Sequence, residues 1–244
     1  MKFRVVVIAL VVAVVALVAF GLYQVRRHNV RPHVELSHIQ YPVCGIDLSS
    51  HNGPVDFEEL VKDSIDFVVM KATEGESFKD SRFTEFYYDA FHAGMILGAY
   101  HFFRFDADGE AQARNFIGSV AGKHFDFPLV IDVEEWGNPR FMSTETVYGR
   151  LKAMIDCLEI NGYSVMIYTN KDGYNRFVKG RLEDYPLWIC SFTTPPIDDD
   201  VQWLLWQYSH WGVVDACQSE VDLNTFNGSR EQWHQWVKLQ QSVD

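Results

Sequence analysis

The stretch FPLVIDVEEWGNP, residues 127–139, joins an apolar run to three acids. The run is typical of a buried strand, and Asp132 and Glu134 stand at its carboxyl end. Burying a carboxylate costs free energy unless the group is paired or hydrogen-bonded. Because side chains alternate along a strand, Asp132 and Glu134 share one face and Glu135 points to the other. The stretch therefore predicts a strand tip that carries two carboxyl groups for chemistry, with Glu135 as a solvated rim residue.

Further apolar segments alternate with amphipathic ones along the chain. Strands are predicted at residues 41–49, 65–73, 95–103, 127–134, 163–170, 186–192 and 201–209. Helices are predicted after the N-caps Asp56, Ser81 and Ser143, over 109–121 and over 230–241. Strands that are apolar on both faces and alternate with helices indicate a parallel sheet. Seven or eight of them favour an α/β fold, an irregular TIM-like β/α barrel with reduced helices in its last third. An open doubly wound sheet is the alternative, but no Gly-rich phosphate loop follows the first strand.

The N-terminal segment is the most apolar part of the sequence. Residues 5–23 carry no charge, and a helix of this length can span the hydrocarbon core of a bilayer. We therefore predict a transmembrane helix before the barrel. A cleaved signal peptide with Lys2 and Arg4 at its start is the alternative, although no A-x-A cleavage site follows. The predicted domains are a membrane anchor at 1–23, a linker at 24–40 and a barrel domain at 41–244.

Charge and cysteine content exclude several partners. The net charge of the chain is −12. The first 31 positions hold basic residues and no acid, so the rest of the chain carries a more negative net charge than the whole. Such a body argues against a nucleic-acid partner. The four cysteines are far apart and form no C-x-x-C pair, which argues against zinc and thioredoxin-like sites. One or two disulfides stay open for an exported domain. We predict no metal and no cofactor.

Polar side chains stand at the ends of several other predicted strands. They are Asp47, Lys71, Glu74, His101, Tyr168 and Gln207, with Asp222 and Asn224 in the closing segment. A β/α barrel keeps its active site at the carboxyl ends of its strands. Each residue alone could be a satisfied structural group, but together they predict a site. Aromatic residues near the same ends, Tyr100 and Trp206 among them, suit stacking on sugar rings, although the core is the commoner place for each.

The acid pair itself indicates a reaction class. Two residues of strand separate Asp132 and Glu134 by about 6–7 Å. Carboxylates held close in a partly desolvated cleft do not both ionise easily, so the pKa of one rises. One acid then donates a proton and the other remains an anion, which is the division of labour in glycoside hydrolysis.

The sequence resembles the glycoside hydrolase family 25 lysozymes, the Chalaropsis-type muramidases, from about residue 44 to 228. The resemblance is carried, in this order, by GIDLSSHNGPVDF, FVVMKATEGESFKDSRF, GAYHFFRF, QARNF, FPLVIDVE, IYTN, PLWIC, LWQYS and VDLN. It implies an irregular β/α barrel that cleaves the β-1,4 bond after N-acetylmuramic acid in peptidoglycan. We therefore expect peptidoglycan glycan strands as the partner, a monomer, and a membrane-anchored catalytic domain outside the cytoplasm.

The resemblance also implies roles for individual residues. By position, Glu134 is the general acid, Asp132 steadies the reacting 2-acetamido group, and Asp47 is the third catalytic acid. The expected substrate-binding residues are Asp222, Tyr168, His101, Tyr100, Trp206 and Gln207. Two positions depart from the family pattern: Asn52 stands where Gln is commoner, and Cys190 where a small residue such as Ala is frequent.

Several alternatives stay open. The spacing of the acids alone predicts inversion, whereas a substrate 2-acetamido group that attacks the anomeric carbon gives retention. A metal-dependent polysaccharide hydrolase or deacetylase would use Asp47, His51 and Asp132 as ligands, but no H-x-x-x-H pair occurs. A catalytically silent wall-binding protein would not need a buried acid pair. Activity after chelation and turbidity loss on purified walls separate these classes. The sequence leaves open whether the enzyme remodels its own wall, attacks other cells or serves a phage or secretion system.

Overall fold

The computed structural model describes Val15, Val18 and residues 34–241. Residues 34–241 all belong to one compact unit. Within it, eight strands form a closed barrel with helices around it. The strands are β1 (Cys44–Leu48), β2 (Phe67–Glu74), β3 (Phe78–Lys79), β4 (Ile96–Phe102), β5 (Leu129–Asp132), β6 (Val165–Asn170), β7 (Leu187–Cys190), β8 (Leu205–Gly212) and β9 (Val221–Phe226). The short β3 forms a hairpin with the end of β2, and the other eight make up the barrel.

The helices follow the barrel strands on the outside and at one end. They are α1 (Phe57–Lys62), α2 (Phe83–His92), α3 (Gly109–Val120), α4 (Thr144–Ile160), α5 (Lys171–Gly173) and α6 (Arg230–Gln241), with a 3₁₀ turn at Ser50–Asn52 and a π-helical turn at Tyr174–Val178. The predicted N-caps Asp56 and Ser143 are confirmed, since their side chains accept the backbone N–H of Glu59 and Thr146. The predicted cap at Ser81 is wrong: α2 starts one residue later, at a cap without a side-chain bond.

The barrel is parallel except at its closing strand. β9 runs antiparallel to both β8 and β1, whereas β1, β2 and β4 to β8 pair in parallel. The connection from β8 to β9 spans only residues 213–220 and holds no helix. A parallel neighbour needs a crossover of a dozen or more residues, so this short connection returns the chain antiparallel. The prediction of an all-parallel sheet is therefore wrong at the closing strand.

The predicted fold class is also wrong in its transmembrane helix. Among the residues that the structure describes, no helix has both the length and the apolar character needed to cross a bilayer. Apart from Val15 and Val18, the stretch 5–23 on which that prediction fell lies outside the described residues. An apolar run of sufficient length satisfies a hydropathy criterion, but it does not by itself establish a spanning helix. The fold is therefore given as a closed eight-stranded barrel with surrounding helices.

The barrel interior is filled at one end and open at the other. Trp233 of α6 packs against Phe67, Phe127 and Phe226, with ring centroids 5.1 to 5.8 Å apart. These aromatic residues lie where the parallel strands begin, so α6 closes the amino-terminal end of the barrel. Alternate side chains of the same strands, such as Val68 and Met70 of β2, face the helices instead. Space for a ligand is therefore left at the carboxyl ends of the parallel strands.

Candidate active site

A cavity of about 960 Å³ opens at the carboxyl ends of the parallel strands. Seven of the nine predicted site residues line it. They are Asp47, Tyr100, Asp132, Glu134, Tyr168, Gln207 and Asp222. They come from six strands or strand tips, and Asp222 reaches the same end because β9 is antiparallel. A neighbouring cavity of about 770 Å³ shares His51 and Lys71 with it, but none of these seven residues lines that second space.

The structure does not bring the other two predicted residues, His101 and Trp206, to the cavity. The ring of His101 is fully buried, with Nδ1 2.7 Å from Thr73 Oγ1 and Nε2 3.1 Å from Gln112 Oε1. Burial lowers the pKa of His101 to about 4, so the ring is neutral. Trp206 Nε1 donates to the Ser191 carbonyl at 2.7 Å, and its ring packs in the outer core. We therefore do not propose either residue as a substrate contact.

Backbone hydrogen bonds fix the tip of β5, where the acid pair lies. The Phe103 N–H donates to the carbonyl of Asp132, and Asn138 Nδ2 donates to the carbonyl of Glu134, both at 2.9 Å. Thr169 Oγ1 donates to the intervening Val133 carbonyl at 2.6 Å. Neighbouring elements on both sides therefore hold the backbone that carries the two carboxyl groups.

The carboxyl group of Asp132 is buried and partly unsatisfied. Its Oδ1 has no hydrogen-bond partner among the described residues. Burial raises the pKa of Asp132 well above its usual range, and the nearby Glu134 carboxylate raises it further. A buried acceptor without a partner costs free energy, so this oxygen is suited to receive a donor from a ligand.

Glu134 lies in the same cavity but is less enclosed. Burial raises the pKa of Glu134 to about 7, with the positive charges of His210 and Lys71 lowering it and the charge of Asp222 raising it. The carboxyl group therefore holds its proton close to neutral pH. By contrast, Glu135 is exposed and forms an ion pair with Arg176. The two adjacent glutamates thus have different surroundings, as expected for opposite faces of a strand tip.

Amide side chains support the acidic floor of the cavity. Asp47 Oδ2 accepts hydrogen bonds of 2.8 Å from both Gln207 Nε2 and Asn224 Nδ2. Burial, followed by the charge of Asp222, nevertheless raises the pKa of Asp47 to about 8. The Tyr168 hydroxyl donates to Gln207 Oε1, also at 2.8 Å. These bonds orient Gln207 with its donor toward Asp47 and its acceptor toward Tyr168.

His210 of β8 is a charged residue of this cavity that was not predicted from the sequence, as are Lys171 and Asp172. His210 Nδ1 lies 2.8 Å from Asp222 Oδ1, and the pair lines the cavity. Strict alternation would place His210 on the face opposite to Gln207. The pairing of β8 with β9 slips by one residue between Gln207 and Ser209, which turns His210 to the cavity side. No sequence signal marks this bulge.

Two exposed aromatic side chains also line the cavity: Trp136, one of the aromatic residues near strand ends that were predicted to suit stacking on sugar rings, and Trp211, which was not predicted. Trp136 follows the acid pair and is 78% exposed, and Trp211 in β8 is 39% exposed. Large exposed aromatic rings at a cavity offer flat apolar faces to a ligand. Trp136 follows the acid pair in the sequence, and Trp211 follows Gln207. These positions after polar strand ends are the sequence signal for both residues.

All four cysteines, at positions 44, 157, 190 and 217, are free thiols, and Cys190 lines the cavity. Within residues 34–241, no group of three or more His, Cys, Asp or Glu side chains is arranged to hold a metal ion. His51 Nδ1, a ligand in the metal-dependent alternative, lies 3.2 Å from Ser49 Oγ instead.

Comparison with known proteins agrees with this arrangement. The model of glycosyl hydrolases family 25 matches residues 46–217. Lysozyme M1 of Streptomyces globisporus is 33% identical over 206 residues, covering 77% of this chain and 68% of that protein. The N,O-diacetylmuramidase of Arthroderma benhamiae is 30% identical over 223 residues, covering 85% and 92%.

A solved structure shows the same fold. The family 25 glycosyl hydrolase of Bacillus anthracis superimposes with a TM-score of 0.76 at 33% identity, covering 85% of this chain and 98% of that one. The family match spans most of the barrel and includes Asp47, Asp132 and Glu134. The predicted resemblance is confirmed, and the chain belongs to glycosyl hydrolases family 25, as a lysozyme-type glycoside hydrolase.

Proposed function

We propose that this enzyme hydrolyses the β-1,4 bond between N-acetylmuramic acid and N-acetylglucosamine in peptidoglycan, with Glu134 as the general acid and Asp132 assisting the substrate's 2-acetamido group. The observation that carries the assignment of roles is the pair of carboxyl groups at the tip of β5. Both line one cavity and both have a raised pKa, but only Asp132 has a buried oxygen without a partner. The names of the relatives, a lysozyme and a muramidase, support the substrate class.

Glu134 has the properties that a proton donor needs. A pKa of about 7 leaves its carboxyl group protonated below neutral pH and still able to give the proton up. In the proposed first step this proton passes to the glycosidic oxygen as the bond from that oxygen to the anomeric carbon breaks. In the second step the resulting Glu134 carboxylate takes a proton from the attacking water.

Asp132 is suited to act on the 2-acetamido group. The N–H of that group would supply the donor that Asp132 Oδ1 lacks. The acetamido oxygen then attacks the anomeric carbon as the leaving group departs, and a positively charged oxazolinium ion forms. Burial raises the pKa of Asp132 in the free enzyme, but the positive charge of the ion and the hydrogen bond from its N–H both favour the ionised carboxylate. An anion in a desolvated cavity stabilises such a charge strongly. Opening of this ion by water gives net retention, and no second carboxylate needs to reach the sugar.

The remaining cavity residues are proposed to hold the substrate. Asp47 and Asp222 form an acidic floor that Gln207 connects to Tyr168. Tyr100, which also lines the cavity, and the exposed rings of Trp136 and Trp211 offer faces on which sugar rings can stack. Because the proposed substrate is a cell-wall polymer, we propose that the barrel works outside the cytoplasm.

The stereochemistry of the product tests this route. Proton NMR of the first-formed anomer should show the β-anomer, and a glycan whose muramic acid is N-deacetylated should be cleaved far more slowly. The same enzyme preparation acting on the N-acetylated glycan serves as the control. An initial α-anomer, or undiminished cleavage of the deacetylated glycan, would contradict assistance by the acetamido group and indicate inversion with Asp132 as general base.

A further inference from the structure

We propose that His210 is a positioning residue for the reaction: a fixed positive charge that holds Asp222 at the floor of the cavity and stabilises the carboxylate that Glu134 becomes when it gives up its proton. The inference rests on the proposed role of Glu134 as general acid. Three sets of observations carry it: the geometry of β8, the contacts of the imidazole ring, and the distribution of charge in the cavity.

A bulge in β8 places His210 where it can act. From Leu205 to Gln207 the strand pairs with β9 in one register, at Ser209 the pairing is shifted by one residue, and by Gly212 it is shifted by one more. The shifted register sets His210 opposite Asp222, as the 2.8 Å contact between Nδ1 and Oδ1 shows. Without the bulge, Ser209 would stand opposite Asp222, and the cavity would lose a positive charge. Bulges next to active sites commonly re-aim a side chain in this way.

The contacts of the ring fix its orientation on both edges. Nδ1 is held by Asp222, and Nε2 lies 3.9 Å from Cys190 Sγ on β7. Phe192 packs edge-on against the ring, with centroids 4.8 Å apart. An imidazole held by a carboxylate on one nitrogen and packed against an aromatic ring has little freedom to turn away.

Acidic groups outnumber basic ones among the titratable side chains that line the cavity with His210. These side chains are Asp47, Asp132, Glu134, Asp172, Asp222, Lys71, Lys171, His51, Cys190, Tyr100 and Tyr168. Five of them are carboxyl groups, whereas the two lysines are each paired with an acid, Lys71 with Glu74 at 2.7 Å and Lys171 with Asp198 at 3.0 Å. A cavity with this excess of acids needs positive charge if more than one of them is to ionise.

The ring stays charged over the range in which Glu134 changes its state. The hydrogen bond to Asp222, followed by that to Cys190, raises the pKa of His210 to about 10. Glu134, with a pKa of about 7, therefore titrates while His210 remains a cation. His210 is thus a constant charge and not a pH switch. Its charge lowers the pKa of Glu134 and opposes the effect of burial, which favours the ionised form that proton transfer produces.

The test compares three variants: His210→Gln, which keeps hydrogen bonding without charge, His210→Lys, which restores charge, and His234→Gln as a matched control on the exposed face of α6. The pH profile of kcat/KM should show a basic limb set by Glu134. For His210→Gln we expect this limb to move to higher pH by about one unit, because a nearby cation has been removed. For His210→Lys the limb should return toward the wild-type position, and for His234→Gln it should not move.

Carbon-13 NMR titration of the Glu134 carboxyl group, assigned with Glu134→Gln, measures the same shift without catalysis. The proposal would be overturned if His210→Gln lost activity equally at every pH while the basic limb and the Glu134 titration stayed in place. His210 would then have a structural role only. An equal upward shift in His210→Lys would also overturn it, because charge would then not be the cause. An active Glu134→Gln would instead overturn the proposed function, so the two failures are distinguishable. Should His210→Gln not fold, His210→Asn carries the same comparison.

Discussion

Two glutamates that are neighbours in the chain have very different surroundings at the residue scale. Glu134 lines the cavity with a pKa raised to about 7, whereas Glu135 is exposed and paired with Arg176. An exposed ion pair contributes little to stability, with a typical value below about 1 kcal/mol. The comparison of these two positions therefore separates a catalytic role from a general effect of removing a carboxyl group.

Glu134→Gln should reduce muramidase activity by about 10²–10⁴-fold, because the nearly isosteric amide cannot transfer a proton. Its thermal unfolding should resemble that of the wild type. Glu135→Gln is the matched control and should retain activity within a few-fold. Turbidity loss on purified cell walls measures both. Equal losses in the two variants, or a near-normal rate for the Glu134 variant, would contradict the assignment.

Asp47 provides a test of the electrostatic cost of the site. Its pKa is about 8 in the folded protein, against about 3.9 in an unfolded chain. The folded state therefore keeps a proton that the unfolded state loses, and stability falls as the pH rises from about 4 to about 8. Asp47→Asn removes this loss and should raise Tm above pH 8, with little change near pH 4.

Each 1 kcal/mol gained in this way corresponds to about 2–4 °C in Tm for a domain of this size. Differential scanning calorimetry at pH 4.5 and pH 8.5 gives the comparison. Asp199→Asn, on the exposed connection between β7 and β8, is the control and should behave alike at both pH values. A Tm difference for Asp47→Asn that is equal at the two pH values would exclude the buried carboxyl group as its source.

Alternation along strands explains which residues of the site the sequence could predict. Asp132 and Glu134, two apart, both line the cavity. The predicted pairs Tyr100 with His101 and Trp206 with Gln207 are adjacent, so only one member of each faces inward. Tyr100 and Gln207 do, and the other two are buried in the outer layer. Conversely, His210 was missed because a bulge reverses the alternation after Gln207.

At the scale of elements, local signals predicted helix starts and strand positions but not every strand direction. Capping side chains at Asp56 and Ser143 were readable because the cap contacts backbone only three residues away. The antiparallel closing strand β9 depends on the geometry of its connection to β8. The hairpin of β3 with β2 is two residues long and leaves no periodic pattern. Such features arise from contacts between elements, which single segments do not encode.

Close packing between α3 and α4 gives a prediction for an element. A Cβ added to Gly109 would lie 2.0 Å from the Arg150 carbonyl oxygen, a backbone atom of α4. Gly109→Ala should therefore force the helices apart and lower the free energy of unfolding by about 1–3 kcal/mol. Gly118→Ala, in the same helix, meets nothing within 4 Å and should raise it by about 0.5–1 kcal/mol.

Urea unfolding of the two glycine variants measures both values. Catalytic rates of the folded fractions should be unchanged, because neither glycine lines the cavity. Equal stability of the two variants would show that α3 and α4 approach less closely than the structure describes.

The whole molecule divides its barrel between stability and chemistry. α6 and a cluster of aromatic rings close the amino-terminal end, and the acids are gathered at the other end, as β/α barrels place them. That division was readable from the sequence, since polar residues end strands whose beginnings are apolar. The prediction of a transmembrane helix was wrong, because a hydropathy count considers length and polarity alone.

The acids at the tip of β5 are proposed to cleave the glycan after muramic acid. The most direct measurement is mass spectrometry of borohydride-reduced fragments released from purified peptidoglycan by the wild type and by Glu134→Gln. We predict N-acetylmuramitol at the reducing ends for the wild type, and almost no fragments for the variant. N-acetylglucosaminitol at those ends, or an undiminished yield from the Glu134 variant, would contradict the account.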